Sequence, residues 1–140
     1  MPGYSTTPLA KKLGIKEGFR VALINAPENF QATLEDLPAN VKFSSRAVRE
    51  LDLVLFFVST ERVLERDFGK LAARLVAKGM IWIAWPKQSS GVATDLSFAR
   101  VQQIGLAAGL VDVKICAIDE IWSGLKFVYR LKDRGKRSTT

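Results

Sequence analysis

The polar side chains that could bind a ligand or exchange a proton follow the apolar, strand-like runs of this 140-residue chain. Among them, Lys87 could hold an anion, and the carboxylates could hold hydroxyl or amine groups. If those runs are parallel strands of one sheet, their carboxyl ends share one edge, which is where open parallel sheets bind ligands. We therefore predict a polar ligand site at that edge, walled by Trp85 and Trp122. Its residues are Asn25, Glu28, Asn29, Ser59, Glu61, Trp85, Lys87, Ser90, Asp119, Glu120 and Trp122.

The absence of histidine limits the chemistry that such a site could perform. Without imidazole there is no serine–histidine or cysteine–histidine nucleophile, no histidine base and no histidine-containing zinc site. Acid–base work by carboxylates or lysine, a hard cation held by carboxylates, and plain binding remain open. Asp119 and Glu120 form the best carboxylate pair, but neighbours on an extended chain point to opposite faces, so we predict no metal site. The residues assign neither a cofactor nor a catalytic residue.

The net charge of +7 is concentrated at the two ends of the chain. Residues 1–20 carry four basic side chains against one acidic side chain, residues 132–140 do the same, and the stretch between them is nearly neutral. Two basic ends allow nucleic-acid binding as an alternative function. We favour a basic, solvated and disordered tail over residues 132–140, following a single α/β domain over residues 1–131.

Apolar runs predict the strands of a sheet. The run at 53–58 is continuously apolar and too short for a helix, and the run at 80–85 is stopped by Pro86, so both are expected to be buried strands. The run at 111–118 alternates with charged residues in its first half, which favours a strand nearer the sheet edge. The remaining strands are predicted at 19–24, at 125–131 and, more weakly, at 41–43.

Two helices are predicted between the later strands. The first is capped by Ser59 or Thr60, and its apolar residues recur at three- and four-residue steps as far as Leu75, so that it ends at residues 78–79. Thr94 is expected to cap the second. Shorter helical pieces are predicted at 5–13 and within 28–34.

The order of these elements fixes the direction of the strands. Strand, helix, strand, helix, strand over residues 52–118 requires right-handed crossovers and therefore a parallel sheet. Only about six residues separate the last two strands, so they must pair as an antiparallel hairpin. We predict a three-layer, Rossmann-like α/β fold in which a mostly parallel sheet ends in a C-terminal antiparallel hairpin.

Several motifs of the chain are similar to those of a known family. The run GYSTTPLAKKLG at 3–14, the run WPK at 85–87 with Ser90-Gly91 and Thr94-Asp95, and the run DEIWSGLK at 119–126 resemble a small bacterial family known as domain of unknown function 3052. The likeness extends over nearly the whole chain, up to about Lys132. It implies no particular activity.

The predicted layout also resembles the C-terminal half of S-adenosylmethionine-dependent methyltransferases. That resemblance implies a glycine-rich turn after the first strand, because a backbone without side chains lets the cofactor approach closely. It also implies an acidic residue at the end of the second strand, which would hold the ribose hydroxyls. Here the turn at 25–29 reads NAPEN without glycine, and Ser44-Ser45 follows the second strand. Because both signatures are missing, we regard the scaffold as a degenerate one.

These observations favour a non-catalytic module that binds a small ligand or a protein partner. An enzyme that uses carboxylate or lysine chemistry at the edge of the sheet, with Glu28, Lys87 or Asp119, is the first alternative, and nucleic-acid binding through the basic ends is the second. No apolar run approaches the length of about 20 residues that crosses a bilayer, so we expect a cytoplasmic protein, either a monomer or a homodimer.

Overall fold

A mixed six-stranded sheet forms the centre of the protein. The structure is a computed structural model and describes residues 7–137, with side chains described for residues 7–134. The strands are β1 (Arg20–Ile24), β2 (Lys42–Ser44), β3 (Leu51–Phe57), β4 (Leu75–Pro86), β5 (Leu110–Ala117) and β6 (Trp122–Tyr129). The helices are α1 (Leu9–Leu13), α2 (Glu61–Ala72), α3 (Phe98–Ala107) and α4 (Leu131–Arg137), with 3-10 turns at Phe30–Thr33 and Gln88–Ser90.

The strand order is β2-β1-β3-β4-β6-β5. Strand β1 pairs in parallel with β2 and β3, and β3 pairs in parallel with β4. Strand β6 is antiparallel to both β4 and β5, and β5 is the edge strand. The predicted α/β fold, with a mostly parallel sheet and a C-terminal antiparallel hairpin, is confirmed.

Both faces of the central strands are buried. On β3, Val54 and Phe56 face a core that α2 and α3 cover, with α2 contributing residues such as Phe68. Leu55 and Phe57 face the opposite core, which α1 and the turn at Phe30–Thr33 cover. A continuously apolar strand is the sequence pattern that such two-sided burial requires, because every side chain meets a hydrophobic layer.

Helix α2 ends earlier than its apolar spacing indicates. The helix stops at Ala72, whereas we predicted an end at residues 78–79. Leu75 already belongs to β4 and pairs with Leu51. Its position also fits the apolar spacing of a helix, but its side chain is buried as part of the strand. Gly79 lies within β4 and is therefore a strand residue rather than a helix cap. A Cβ at this position would lie 3.1 Å from the carbonyl oxygen of Leu51, a tight contact beside the irregularity in the β3–β4 pairing, which favours glycine.

The caps of the two longer helices are only partly as predicted. Thr60 caps α2, because its hydroxyl accepts a hydrogen bond from the backbone N–H of Val63 at 3.3 Å. Helix α3 is capped by Ser97 and not by Thr94. The Thr94 hydroxyl instead donates to the carbonyl oxygen of Ser59 at 2.6 Å, so it joins the loop before α3 to the loop after β3.

The basic C-terminal segment begins as a helix. Helix α4 covers Leu131–Arg137, which differs from the disordered tail that we expected from residue 132. Residues 138–140, like the first four residues of the motif at 3–14, lie outside the described part of the chain. In the part that is described, no helix has both the length and the apolar composition needed to cross a membrane.

Candidate functional site

The loops that carry the predicted site residues leave the sheet at one edge. Because β1, β3 and β4 are parallel neighbours, the loops that begin at Asn25, Ser59 and Lys87 all follow carboxyl ends. Strand β5 runs in the same direction as β4, since both are antiparallel to β6, so Asp119 follows at this edge as well. The chain steps outward from β1 to β2 and then returns to the other side of β1 as β3. Such a reversal of strand order is where open α/β sheets bind ligands.

A pocket of about 540 Å³ lies at the carboxyl ends of β1 and β2. This volume is within the range of small-molecule sites. Among the side chains of residues 7–134, no acidic or basic one lines the pocket. Its lining consists of Leu23, Asn25, Ala26, Pro27, Asn29, Phe30, Gln31, Phe43, Ser44 and Ser45.

Two asparagines give the turn after β1 the backbone shape that glycine usually provides. Asn25 and Asn29 have φ values of 57° and 64°, in the left-handed region that favours glycine and tolerates asparagine. The turn therefore has left-handed backbone conformations even though it lacks the glycine that the methyltransferase resemblance implies. Each asparagine also brings to the pocket a side-chain amide with both a donor and an acceptor. Glu28, between them in sequence, is exposed and does not line the pocket.

Ser44, the last residue of β2, and Ser45, which follows it, also line the pocket. The hydroxyl of Ser44 donates to the carbonyl oxygen of Arg46 at 2.9 Å and accepts from the N–H of the same residue at 3.0 Å. Its hydrogen-bonding capacity is thus partly used in a local turn. Ser45 also lines the pocket and is exposed.

An aromatic row connects the pocket to the C-terminal hairpin. Phe30 of the pocket packs edge-on against Phe57, with ring centroids 4.9 Å apart, and Phe57 packs in the same manner against Trp122 at 5.0 Å. Trp85 does not belong to this row. It is 5% exposed and lies in the core beneath α2 and α3, on the opposite face of the sheet. Our expectation of one pocket walled by both tryptophans therefore does not match the structure, because alternation along β4 sends Trp85 to the other side.

The polar residues after β3 link neighbouring loops. The backbone N–H of Glu61 donates to Oδ1 of Asp95 at 2.7 Å, and the Glu61 carboxylate accepts from Nε of Arg100. That hydrogen bond raises the pKa of the Arg100 guanidinium above its usual value. A second carboxylate, that of Glu65, accepts from Nη2 of Arg100 at 3.1 Å. These contacts tie α2 to α3 and engage the predicted site residue Glu61.

The polar residues after β4 are also used within the protein. The hydroxyl of Ser90 donates to the carbonyl oxygen of Lys87 at 2.7 Å and accepts from the N–H of Val92 at 3.1 Å. The backbone N–H of Lys87 donates to the carbonyl oxygen of Ile121 at 2.8 Å. The loop after β4 is thereby fixed to the hairpin turn.

Asp119 closes that hairpin turn. Its Oδ1 accepts from the backbone N–H groups of Ile121 and Trp122, both at 2.8 Å. Glu120, the next residue, is exposed. Within residues 7–137, no cluster of three or more aspartate, glutamate, cysteine or histidine side chains could hold a metal ion.

Of the predicted residues, only Asn25 and Asn29 line the pocket. Ser59 and Glu61 make contacts with neighbouring loops and with α3, whereas Ser90 and Asp119 hydrogen-bond within their own loop or turn. The pocket is not lined by the other predicted residues, which are Glu28, Trp85, Lys87, Glu120 and Trp122. Sequence reasoning missed the apolar part of the pocket, formed by Phe30 and Phe43. The only signal for it was the weak apolar pattern at 41–43, which is too short to show which face is buried.

Solved structures with a similar architecture include methyltransferases and a pre-rRNA processing protein. The Methanococcus jannaschii fibrillarin pre-rRNA processing protein is 15% identical over 91% of this chain and 70% of its own, with a TM-score of 0.59. A precorrin-6y methyltransferase from Geobacter metallireducens is 10% identical over 87% of this chain and 86% of its own, with a TM-score of 0.60. The magnesium protoporphyrin IX methyltransferase from Synechocystis is 9% identical over 87% of this chain and 74% of its own, with a TM-score of 0.57.

The chain has the Rossmann-like fold of methyltransferases. At these identities the likeness shows the fold alone. No protein-family model matches the sequence, and no curated protein matches it either. The resemblance to domain of unknown function 3052 therefore stays a prediction.

Proposed function

We propose that this protein is a non-catalytic binding module on a methyltransferase-like scaffold, and that it holds a small, uncharged, nucleoside-like ligand in the pocket beside β1. The lining of the pocket is the observation that carries this proposal. It combines side-chain amides and hydroxyls with two phenylalanine rings, and it has no ionisable group. Such a surface suits a molecule with a planar ring and several hydrogen-bonding atoms.

The absence of charge in the lining favours a neutral ligand over S-adenosylmethionine. The Synechocystis methyltransferase of similar fold was solved with S-adenosylmethionine bound. That cofactor carries a carboxylate, an ammonium and a sulfonium group. Each of these charges costs free energy to remove from water unless an opposite charge faces it. A nucleoside without the amino-acid part, such as 5′-methylthioadenosine, avoids that cost.

The hydrogen-bonding groups of the pocket support the nucleoside-like character of the ligand. Asn25, Asn29 and Gln31 each carry an amide that can donate and accept, as the edge of a base and the hydroxyls of a sugar require. Phe43 is half-buried, so part of its ring is open to stacking against a base. Neither ring nor amide has an obvious role in proton transfer, which supports binding without catalysis.

Isothermal titration calorimetry tests the proposal with four probes: 5′-methylthioadenosine, adenosine, S-adenosylmethionine and S-adenosylhomocysteine. We expect the two uncharged nucleosides to bind, and the two amino-acid conjugates to bind at least about tenfold more weakly, since each buried unpaired charge opposes binding. Equal or tighter binding of S-adenosylmethionine would contradict the proposed ligand class.

A set of asparagine-to-glycine variants places the ligand. Asn25→Gly and Asn29→Gly keep the left-handed backbone and remove only the amide, so we expect nucleoside affinity to fall roughly tenfold, in line with one or two lost hydrogen bonds. Asn40→Gly is the matched control, because Asn40 has φ 63° and does not line the pocket. If Asn40→Gly weakens binding as much as the other two, the ligand does not lie in this pocket.

Methyl transfer is the second candidate, and the fold shared with S-adenosylmethionine-bound enzymes favours it. The discriminating measurement is the release of S-adenosylhomocysteine when the protein is incubated with S-adenosylmethionine and a mixture of small acceptors. Binding without catalysis requires that release stays at the level of the protein-free control. A release rate that Asn25→Gly lowers and Asn40→Gly leaves unchanged would establish the enzyme instead.

A further inference from the structure

Four lysines from distant parts of the sequence meet on the face of the sheet that α1 covers. Lys12 and Lys16 belong to the N-terminal segment, and Lys114 and Lys126 belong to the β5–β6 hairpin. Lys114 and Lys126 are direct cross-strand partners. Nζ of Lys114 donates to the carbonyl oxygen of Lys12 at 3.2 Å. We call Lys12, Lys16, Lys114 and Lys126 the lysine cluster.

The electrostatics around Cys116 agree with the strand pairing of Lys114 with Lys126 and with the contact between Lys114 and Lys12. Burial raises the pKa of the Cys116 thiol, and the positive charges of Lys114, Lys12 and Lys126 oppose that rise. Conversely, burial lowers the pKa of Lys126, and the charges of Lys114 and Lys16 lower it further. The charges of Lys12, Lys114 and Lys126 thus act on the Cys116 thiol, and the charge of Lys16 acts on Lys126.

The lysine cluster lacks ion pairs among the described side chains. Within residues 7–134, none of its four members forms an ion pair with a carboxylate. Nζ of Lys126 lies 5.8 Å from the centroid of the Trp82 ring, so this ammonium group has a cation–π partner. The ammonium group of Lys114 has the carbonyl oxygen of Lys12, in the last turn of α1, as its hydrogen-bond acceptor. These contacts leave the charges unneutralised.

Placing two lysines directly opposite each other in a sheet is unfavourable. Like charges at paired positions repel, and the partial burial of Lys126 increases the cost of its charge. The contacts of Lys126 with Trp82 and of Lys114 with the Lys12 carbonyl oxygen stabilise each side chain but do not remove the repulsion between the two charges. An anion between the ammonium groups would turn the repulsion into attraction.

We propose that the lysine cluster is a binding site for a compact anion that bears two or more phosphoryl groups. The cluster brings together lysines that are about a hundred positions apart in the sequence. This small, concentrated region of positive charge suits a compact multivalent anion better than an extended polymer. The site differs from the uncharged pocket in position and in chemistry. The pocket lies at β1 and β2, whereas the lysine cluster lies at the opposite end of the sheet, where β6 and β5 pair.

Tripolyphosphate is the probe, with sodium chloride at matched ionic strength as the baseline, and the readouts are binding isotherms and the thermal midpoint of the full chain. We expect saturable binding and a raised midpoint. Lys114→Gln should weaken the affinity about tenfold, as the loss of one charge-assisted contact implies, and should leave the ligand-free midpoint unchanged or higher because repulsion is relieved. Lys126→Met, which keeps the apolar stem of the side chain over Trp82, should weaken binding similarly.

Lys42→Gln is the control variant, since Lys42 is an exposed strand residue of β2 at the far end of the sheet. It should bind tripolyphosphate like the wild type. No binding above the sodium chloride baseline would overturn the proposal, and so would an equal loss of affinity in Lys42→Gln. Binding of a single-stranded RNA 12-mer, with no response to tripolyphosphate, would also overturn it and would assign the cluster to a nucleic-acid backbone.

Discussion

The two ends of the sheet differ in charge and in the way that their surfaces are built. At the β2 and β1 end, a pocket without ionisable groups is shaped by two asparagines in left-handed conformation. At the β6 and β5 end, the lysine cluster holds four positive charges without carboxylate partners among the described side chains. A neutral ligand at one end and an anion at the other would not compete for the same contacts. If both proposed sites bind their ligands, one scaffold separates recognition by shape from recognition by charge.

Phe57 is the residue through which the two ends are most directly connected, because it contacts Phe30 of the pocket and Trp122 of the hairpin. We expect Phe57→Ala to destabilise the protein by about 3–5 kcal/mol, as the removal of a buried aromatic ring does, and to weaken nucleoside binding as well. Chemical denaturation and calorimetry at a temperature where the variant is folded measure the two effects.

Phe56→Ala is the control for that experiment. Phe56 is the neighbouring residue of β3, is equally buried and faces the opposite core. The Phe56→Ala variant should lower the free energy of unfolding by a similar amount but leave nucleoside affinity near that of the wild type. If both variants change affinity alike, the aromatic row does not support the pocket.

A smaller effect on stability is expected where α3 packs against Phe127 of the hairpin. A Cβ at Gly105 would lie 2.1 Å from Cε2 of Phe127, too close for any real contact. We expect Gly105→Ala to destabilise the protein by about 1–3 kcal/mol through overpacking. Gly69→Ala in α2 adds a Cβ with no atom within 4 Å, so it should stabilise by up to about 1 kcal/mol. Equal changes in the two midpoints of urea unfolding would show that α3 does not set the hairpin position.

The smallest expected effect is a pH dependence of stability in the alkaline range, which arises at the hairpin end. The pKa of Lys126 in the folded protein is below its ordinary value of 10.5, so between these two values the unfolded chain binds more protons and stability rises with pH. The pKa of Cys116 is raised above 9.0, which makes stability fall with pH in an overlapping range. Lys114, Lys16 and Lys12 are the other charges that these two groups face.

Urea unfolding of Cys116→Ala and of Cys116→Ala with Lys126→Met isolates the lysine contribution. As the pH rises towards 10.5, the first protein should gain stability relative to the second, because only the first retains the ammonium group with the lowered pKa. A difference between the two that stays constant with pH would show that Lys126 is not perturbed and would weaken the account of the lysine cluster.

Strand positions and directions could be predicted from the sequence because local signals agreed with the fold. The run LVLFFV at 53–58 is apolar on both sides of the strand, and the short connection at 119–124 leaves an antiparallel hairpin as the only possible pairing. The end of α2 could not be predicted. Leu75 satisfies helical spacing and strand burial equally, and only its pairing with Leu51 decides between them.

The candidate sites depended on information that a local reading does not contain. Asn25 and Asn29 were predicted as site residues, but their left-handed conformation, which replaces the expected glycine, is not visible in their type alone. Trp85 was assigned to the wrong face because its position relative to the strand pairing was unknown. The lysine cluster was not predicted, since it joins Lys12 and Lys16 to a hairpin that is about a hundred residues away.

Backbone amide chemical-shift mapping with 5′-methylthioadenosine tests the central claim most directly, namely that a neutral ligand occupies the β1 and β2 end of the sheet. We expect saturable shifts that are largest at Asn25, Asn29 and Phe43 and absent from Lys114 and Lys126. Shifts centred on Lys87 and Asp119, or no saturable shift at any amide, would contradict the account.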